Sequence, residues 1–192
     1  GMGHTIHAFK RNVNMTYIVM DNHVYGLTKG QASPRSDIGF VTKTTPRGAF
    51  ESPLSVCETA IAAGATFVAQ GYMINRAQLV ELIQKAMDHE GFSFINVFSP
   101  CVTYNKHNSY DWFKEHLVEL PEGYDPTDRA AALKTLGETD GLVTGVIYQD
   151  TTKPSFEKAL AAANGGPHPR PLTEDVVKPD QALFDSLCNQ FK

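Results

Sequence analysis

The residues with the most chemistry per unit length lie between 17 and 34, in "YIVMDNHVYGLTKGQASP". A short apolar run delivers Asp21, Asn22, His23, Tyr25, Thr28, Lys29 and Gln31 to one loop, interleaved with Gly26 and Gly30. The Asn22 side chain and a nearby backbone carbonyl are hard oxygen donors of the kind magnesium takes. Magnesium completes its shell with water and substrate phosphates, so a sparse protein set suits it. Thr28, Gln31 and the amides near Gly26 and Gly30 suit phosphate oxygens, and Lys29 offers a compact cation to an anionic group. The same residues are also ordinary turn formers, Asp21 and Asn22 above all. Spacing alone leaves both readings open.

The other candidates are weaker. Cys57, Cys101 and Cys188 are odd in number and far apart, which does not describe a disulfide framework. Cys57 falls inside a helical pattern and reads as a small core residue. Cys188 falls in a terminal helix pattern, whereas Cys101 follows a strand in "FINVFSPCVTYN". His4 and His7 stand three apart on one helix face, a metal-compatible spacing with no third ligand nearby. His89, His107, His116 and His168 read as surface residues, and "YDWFKEH" as an amphipathic packing helix.

The elements around the loop follow from periodicity. "HTIHAFKRN" (4–12) reads as the end of a helix, and "MTYIVMD" (15–21) as a strand covered on both faces. Ser52 and Pro53 predict a helix start that runs to Gly64, followed by a strand over 65–72. Asn75 caps the helical pattern "RAQLVELIQKAMDHEG", with Gly91 as its stop, and 92–100 is a further strand. Helices are expected over 110–120 and 126–136, a strand over 141–150, a Pro/Gly linker over 165–171 and a terminal helix over 180–191. Alternating strands and helices predict an α/β fold, three layers α/β/α around a mainly parallel sheet. Ligands then bind beyond the carboxyl ends of the strands, where the opening loop and Cys101 both lie.

Composition agrees with one core. The chain has 192 residues, 42% hydrophobic and 20% charged, with a formal net charge of −4, values of a soluble globular domain without a nucleic-acid footprint. No apolar run approaches the roughly 20 residues of a membrane span, and the start carries no signal-peptide pattern, so a cytoplasmic location is the default expectation. Gly1 ahead of Met2 reads as a cleavage remnant before an initiator methionine.

"NVNMTYIVMDNHVYGLTKGQASP" closely resembles the beta subunit of 2-oxoacid:ferredoxin oxidoreductases, which are thiamin diphosphate enzymes. The likeness continues through "TKTTPRG" (42–48), "CETAIAAGATFVAQG" (57–71) and "FINVFSPCVTYN" (94–105), and "GLTKGQ" is most like the 2-oxoglutarate branch. The resemblance implies the C-terminal portion of a thiamin diphosphate-binding domain over 3–160, followed by a linker and C-terminal helix over 161–192. It implies a cofactor strip made of Asn22, His23, Val24, Tyr25, Gly26, Leu27 and Thr28, with Asn22 and the Val24 carbonyl on magnesium. Lys29, with Leu27, would select the second carboxylate of the substrate. Cys101 would be one ligand of a [4Fe–4S] cluster. No catalytic base is expected in this chain, because the activating glutamate belongs to the alpha subunit.

Two family motifs are absent, a Gly-Asp-Gly strand end and a Cys-Pro-Gly-Cys segment. The chain therefore reads as an N-terminally truncated beta subunit, expected to be inactive alone and to hold neither thiamin diphosphate, magnesium nor a cluster stably. Its implied partners are the alpha subunit, ferredoxin, coenzyme A and a 2-oxoacid, and as a fragment it is expected to self-associate. The rival readings are a non-enzymatic remnant and a thiamin-dependent decarboxylase without redox centres, the latter disfavoured by Cys101.

Overall fold

The computed structural model describes residues 2–167 and 180–190. Two compact units divide at Glu157 and Lys158. The first holds a five-stranded sheet in the order β1 (Met15–Asp21), β5 (Phe92–Phe98), β4 (Phe67–Tyr72), β7 (Val143–Gln149), β6 (Val118–Glu119). β1, β5 and β4 run parallel, β7 is antiparallel to β4, and β6 is parallel to β7. A two-residue ribbon pairs β2 (Val24–Tyr25) with β3 (Gln31–Ala32).

Side chains alternate across the strands and seed two cores. On one face Val68, Phe92 and Phe94 pack with Phe9 of α1 (Met2–Arg11), Cys57, Ala60 and Ile61 of α2 (Val56–Ala63), and Ala132 and Leu136 of α5 (Arg129–Glu138). On the other, Phe67, Ala69, Ile95 and Val97 meet Leu82 and Ala86 of α3 (Arg76–Asp88). Phe113 of α4 (Tyr110–His116) joins Tyr72 and Phe98 at the carboxyl end of the sheet. The expected three layers are present. Helix α6 (Phe156–Ala163) begins at the end of the first unit, and α7 (Gln181–Asn189) lies in the second. Of the expected linker, 168–171 falls outside the described residues, as do His168 and the last residue of the terminal helix.

Several expectations need correction. β1 is not covered on both faces. Among the described residues it is an edge strand paired only with β5, and Met20 is 78% exposed and Ile18 41%. A continuous apolar run records hydrophobicity and not the number of neighbours. α2 starts at Val56, three residues after Pro53, because the Leu54 amide bonds to the Pro34 carbonyl at 2.7 Å and holds the segment extended. The helix expected over 110–120 stops at His116, and Val118–Glu119 instead join the sheet beside β7. α5 starts at Arg129 because Asp128 caps the amides of Ala130 and Ala131.

Asn75 caps α3 as expected, through the Gln78 amide, but Gly91 is more than a stop. Its φ is +127°, and a β-carbon there would stand 2.6 Å from Asn12 Oδ1 and Thr66 Oγ1.

Candidate functional site

At the carboxyl end of the parallel strands, three polar side chains replace the apolar stripe. Asn96 Nδ2 donates to Gln70 Oε1 at 3.1 Å and approaches Asp21 Oδ2 at 3.4 Å, forming a buried row across β4, β5 and β1. Gln70 Nε2 continues it to the carbonyls of Gly141 and Val143. Most polar atoms in such strands are hydrogen-bonded, and in this row Asn96 Oδ1 is left without a partner. This row supports Asp21, from which the loop springs.

Asp21 is the anchor of a charged cluster. Its Oδ2 accepts from Arg35 Nε at 2.8 Å and lies 3.5 Å from His23 Nε2, and its Oδ1 accepts from the His23 amide. Burial works against the carboxylate charge, but bonds to His23 and the Arg35 guanidinium hold Asp21 well below the usual carboxylate range. The His23 ring is 3% exposed, with its Nδ1 3.6 Å from Asp37 Oδ1. Burial alone would lower its affinity for a proton. The two carboxylates reverse that and raise it, and His23 in turn lowers Asp37. Arg35 Nη1 also donates to the Leu54 carbonyl at 2.6 Å, tying the cluster to the segment before α2. His23, Arg35 and Asp37 line a cavity of about 470 Å³ together with Cys57, Trp112 and Gly141.

The loop turns sharply at His23, whose φ of +57° lies in the left-handed region. For a residue with a β-carbon that conformation costs about 1–2 kcal/mol. The turn lets the Val24 amide reach back to Asn22 Oδ1 at 3.1 Å, leaving this oxygen a second lone pair. Beyond the ribbon, Lys29 N bonds to the Gly26 carbonyl and Gly30 N to the Tyr25 carbonyl. Gly30 has φ +97°, and a β-carbon would meet the Tyr104 ring at 3.0 Å, so only glycine seats this turn against the segment after β5. Thr28 Oγ1 donates to Gln31 Oε1, so these two side chains satisfy each other. Lys29 and Tyr25 are exposed and Leu27 is 99% exposed, at the tip.

The residues read from the sequence thus divide. Asn22, Gly26, Leu27, Thr28 and Lys29 stand together on the loop surface. The side chains of His23 and Val24 turn inward, so what these two offer at that surface is backbone. Cys101 Sγ lies 4.0 Å from where a Gly26 β-carbon would stand, which brings the thiol beside the loop. Burial opposes its ionisation, but the amides of Tyr104, Thr103 and Asn105 outweigh that and lower its pKa.

Sequence reasoning missed Arg35, Asp37, Asn105, Asn108 and the Gln70–Asn96 row. For the row a signal existed, since one amide interrupts each of two apolar strand runs. Arg35, Asp37 and the two asparagines lie in segments that read only as loops.

The donor set fits magnesium, since Asn22 Oδ1 and the Val24 carbonyl are hard, neutral oxygens flanking a turn rich in backbone amides. It does not fit a cubane cluster. All three cysteines are free, with Cys57 in the core and Cys188 in the second unit, and no cluster of three or more His, Cys, Asp or Glu occurs among the described residues. His4 and His7 therefore find no third ligand there. Nor is any helix among the described residues long and apolar enough to cross a membrane.

Two family models match the chain. "Thiamine pyrophosphate enzyme, C-terminal TPP binding domain" covers residues 1–97, and the C-terminal region of the pyruvate ferredoxin oxidoreductase beta subunit covers 101–164. The 2-oxoacid:ferredoxin oxidoreductase beta subunit of Saccharolobus solfataricus is 35% identical over 93% of this chain and 62% of its own length. The 2-oxoglutarate synthase subunit KorB of Methanocaldococcus jannaschii is 33% identical over 83% of this chain and 59% of its own. A solved 2-oxoglutarate:ferredoxin oxidoreductase from Magnetococcus marinus, with 2-oxoglutarate, coenzyme A and succinyl-CoA bound, superposes with a TM-score of 0.81 at 36% identity. That match covers 97% of this chain and 62% of the other. The chain thus spans about three fifths of the length of these relatives. On these matches, the chain belongs to the thiamine pyrophosphate enzyme family, and the relatives it resembles are beta subunits of 2-oxoacid:ferredoxin oxidoreductases.

Proposed function

We propose that this chain supplies the magnesium–diphosphate strip of an enzyme that decarboxylates a 2-oxoacid oxidatively, forming its acyl-CoA and passing electrons to ferredoxin. The observation that carries this reading is the convergence of Asn22 Oδ1 and the His23–Val24 backbone on one turn at the carboxyl end of β1, above a buried charged anchor. Thiamin diphosphate, when bound, supplies the carbanion chemistry that 2-oxoacid decarboxylation needs. The chain's own residues bind and orient. Asn22 and the Val24 carbonyl hold the metal, and backbone amides from Tyr25 to Thr28 face the diphosphate. Lys29 and Leu27 border the substrate, Lys29 pairing with a second carboxylate such as that of 2-oxoglutarate. Cys101 would contribute at most a single thiolate to a cluster whose other ligands this sequence, with three cysteines, does not supply. The remaining partners we propose are an alpha subunit, ferredoxin and coenzyme A, in the cytoplasm.

Calorimetric titration with thiamin diphosphate tests the strip. Any binding is expected to require magnesium and to weaken about tenfold in Asn22→Ala, about 1.4 kcal/mol. Measurable magnesium-dependent binding of equal affinity in the parent and Asn22→Ala would refute it. In the assembled enzyme, Lys29→Ala is expected to lower kcat/KM for 2-oxoglutarate about tenfold or more relative to pyruvate, the loss of one charge-assisted bond. An unchanged ratio would remove Lys29 from the substrate site.

A second reading, a non-enzymatic chain that only assembles with itself or a partner subunit, is favoured by one observation: β1 leaves an apolar, unpaired edge.

A further inference from the structure

We infer that His23 is a positioning residue whose clamped, left-handed backbone aims Asn22 Oδ1 and the Val24 peptide, with Asp37 as the outer jaw of the clamp. The inference rests on the magnesium-strip reading of Asn22 and Val24 and assigns what orients them.

Both backbone groups of His23 are hydrogen-bonded, and its ring is flanked by carboxylates, although Nδ1 itself makes no hydrogen bond. Its N–H donates to Asp21 Oδ1 at 3.2 Å, and its carbonyl accepts from Ser36 Oγ at 2.6 Å. Its ring stands between Asp21 Oδ2 at 3.5 Å and Asp37 Oδ1 at 3.6 Å. The ring edge packs on Phe113, with centroids 5.5 Å apart and planes at 83°. A left-handed backbone at a residue with a β-carbon persists only where its surroundings over-determine it, and these contacts do so.

The turn they hold is what brings the Val24 amide to Asn22 Oδ1. Were the turn to relax, that bond would open and both proposed metal donors would lose their common direction. Ordinary burial of a histidine would require none of this backbone geometry.

The outer jaw closes on the same residue by a second route. Asp37 Oδ2 accepts from Asn108 Nδ2 at 2.8 Å, and Asn108 Oδ1 accepts from Asn105 Nδ2 at 2.9 Å. Asn105 Nδ2 also donates to the Asn22 carbonyl at 3.3 Å. Asn105 and Asn108 are buried, so solvent does not compete for these bonds. The contacts form a closed circuit, Asn22–His23–Asp37–Asn108–Asn105–Asn22. It joins the loop after β1 to the segment after β5 and holds the Asn22 carbonyl, while the Val24 amide holds the Asn22 side chain.

Comparing His23→Ala with His23→Gly separates this role from burial, because both lose the ring but only glycine adopts the left-handed region freely. The first readout is hydrogen exchange of the Val24 amide in the cofactor-free chain. His23→Ala is expected to speed it about tenfold and His23→Gly to restore most of the protection, although both variants lose similar thermal stability. Asp37→Ala, at a position whose side chain is 29% exposed, is expected to speed exchange at Val24 and keeps the test decisive should His23→Ala fail to fold. The second readout is magnesium-dependent thiamin diphosphate binding, expected to follow the same order. Equal loss of protection in the alanine and glycine variants, or unchanged exchange in Asp37→Ala, overturns the clamp. Failure of Asn22→Ala to weaken binding overturns the strip reading instead and leaves the exchange result to decide the clamp by itself.

Discussion

Replacing Arg35 with methionine should reveal how much of the site's rigidity rests on one ion pair. The guanidinium donates to Asp21 Oδ2 at 2.8 Å and to the Leu54 carbonyl at 2.6 Å, and only 3% of the Asp21 side chain is exposed. Removing one partner of a buried pair costs about 3–5 kcal/mol, because the other charge is left behind. Here His23 at 3.5 Å and Asn96 at 3.4 Å remain, so the lower end, about 3 kcal/mol, is expected. With a urea slope of about 1–3 kcal/mol per molar, the midpoint should fall by about 1–3 M.

The sign of the pH effect follows from Asp21. Its carboxyl is depressed in the folded chain, so it contributes stability above the unfolded value of about 3.9, and that contribution fades as pH falls toward the folded value. Arg35→Met raises the folded value and should move acid unfolding to higher pH. The decisive measurement is a double-mutant cycle with Asp21→Asn. If the pair is the cause, the two losses should fall short of additivity by about 1 kcal/mol or more. Strict additivity would mean that Arg35 acts only through Leu54, and the electrostatic account of the anchor would fail.

Two further outcomes follow from elements away from the loop. Thr66 donates its one hydroxyl proton to Asn12 Oδ1, so His89 Nε2, 2.7 Å away, must be the donor to Thr66, and burial lowers the His89 pKa. A depressed histidine contributes stability that is present above about pH 6.5 and is lost as pH falls through the folded value. Chemical denaturation from pH 7.5 to 5 should show that loss and His89→Gln should flatten it, whereas an identical slope in the variant would exclude His89 as the source. On β1, Ile18→Lys places a guarding charge on the unpaired edge. Light scattering should show mass rising with concentration for the parent chain and a constant monomer for Ile18→Lys, and a parent that stays monomeric throughout would reject assembly through β1.

What the sequence reveals depends on how locally each feature is determined. β4 and β5 are legible because a run such as "FINVF" has no comfortable place except a buried strand, and Asn75 is legible as a cap because its partner is only three residues away. β1 carries the same apolar signature and yet lies at an edge, because the number of neighbouring strands is a property of topology. β6 escapes for a related reason. Val118 continues a helical pattern, but its amide finds the Leu142 carbonyl at 3.0 Å, a partner 24 residues on that no local rule anticipates.

The site divides along the same line. Asn22, Thr28 and Lys29 could be found because a ligand is selected for its chemistry, and oxygen donors and cations in a glycine-rich loop declare theirs. Asp37, Asn105 and Asn108 are selected for where the fold places them, 15 to 86 residues from Asn22, and their types are those of any polar loop. Reading His23 as a diphosphate contact follows from its place beside Asn22. Its left-handed backbone and inward ring become visible only once Asp21 and Asp37 flank it. Residues that touch a cofactor can therefore be proposed from sequence, whereas those that aim them need the tertiary contacts. In this chain both kinds of role fall on adjacent residues, Asn22 as the donor and His23 as the turn that directs it.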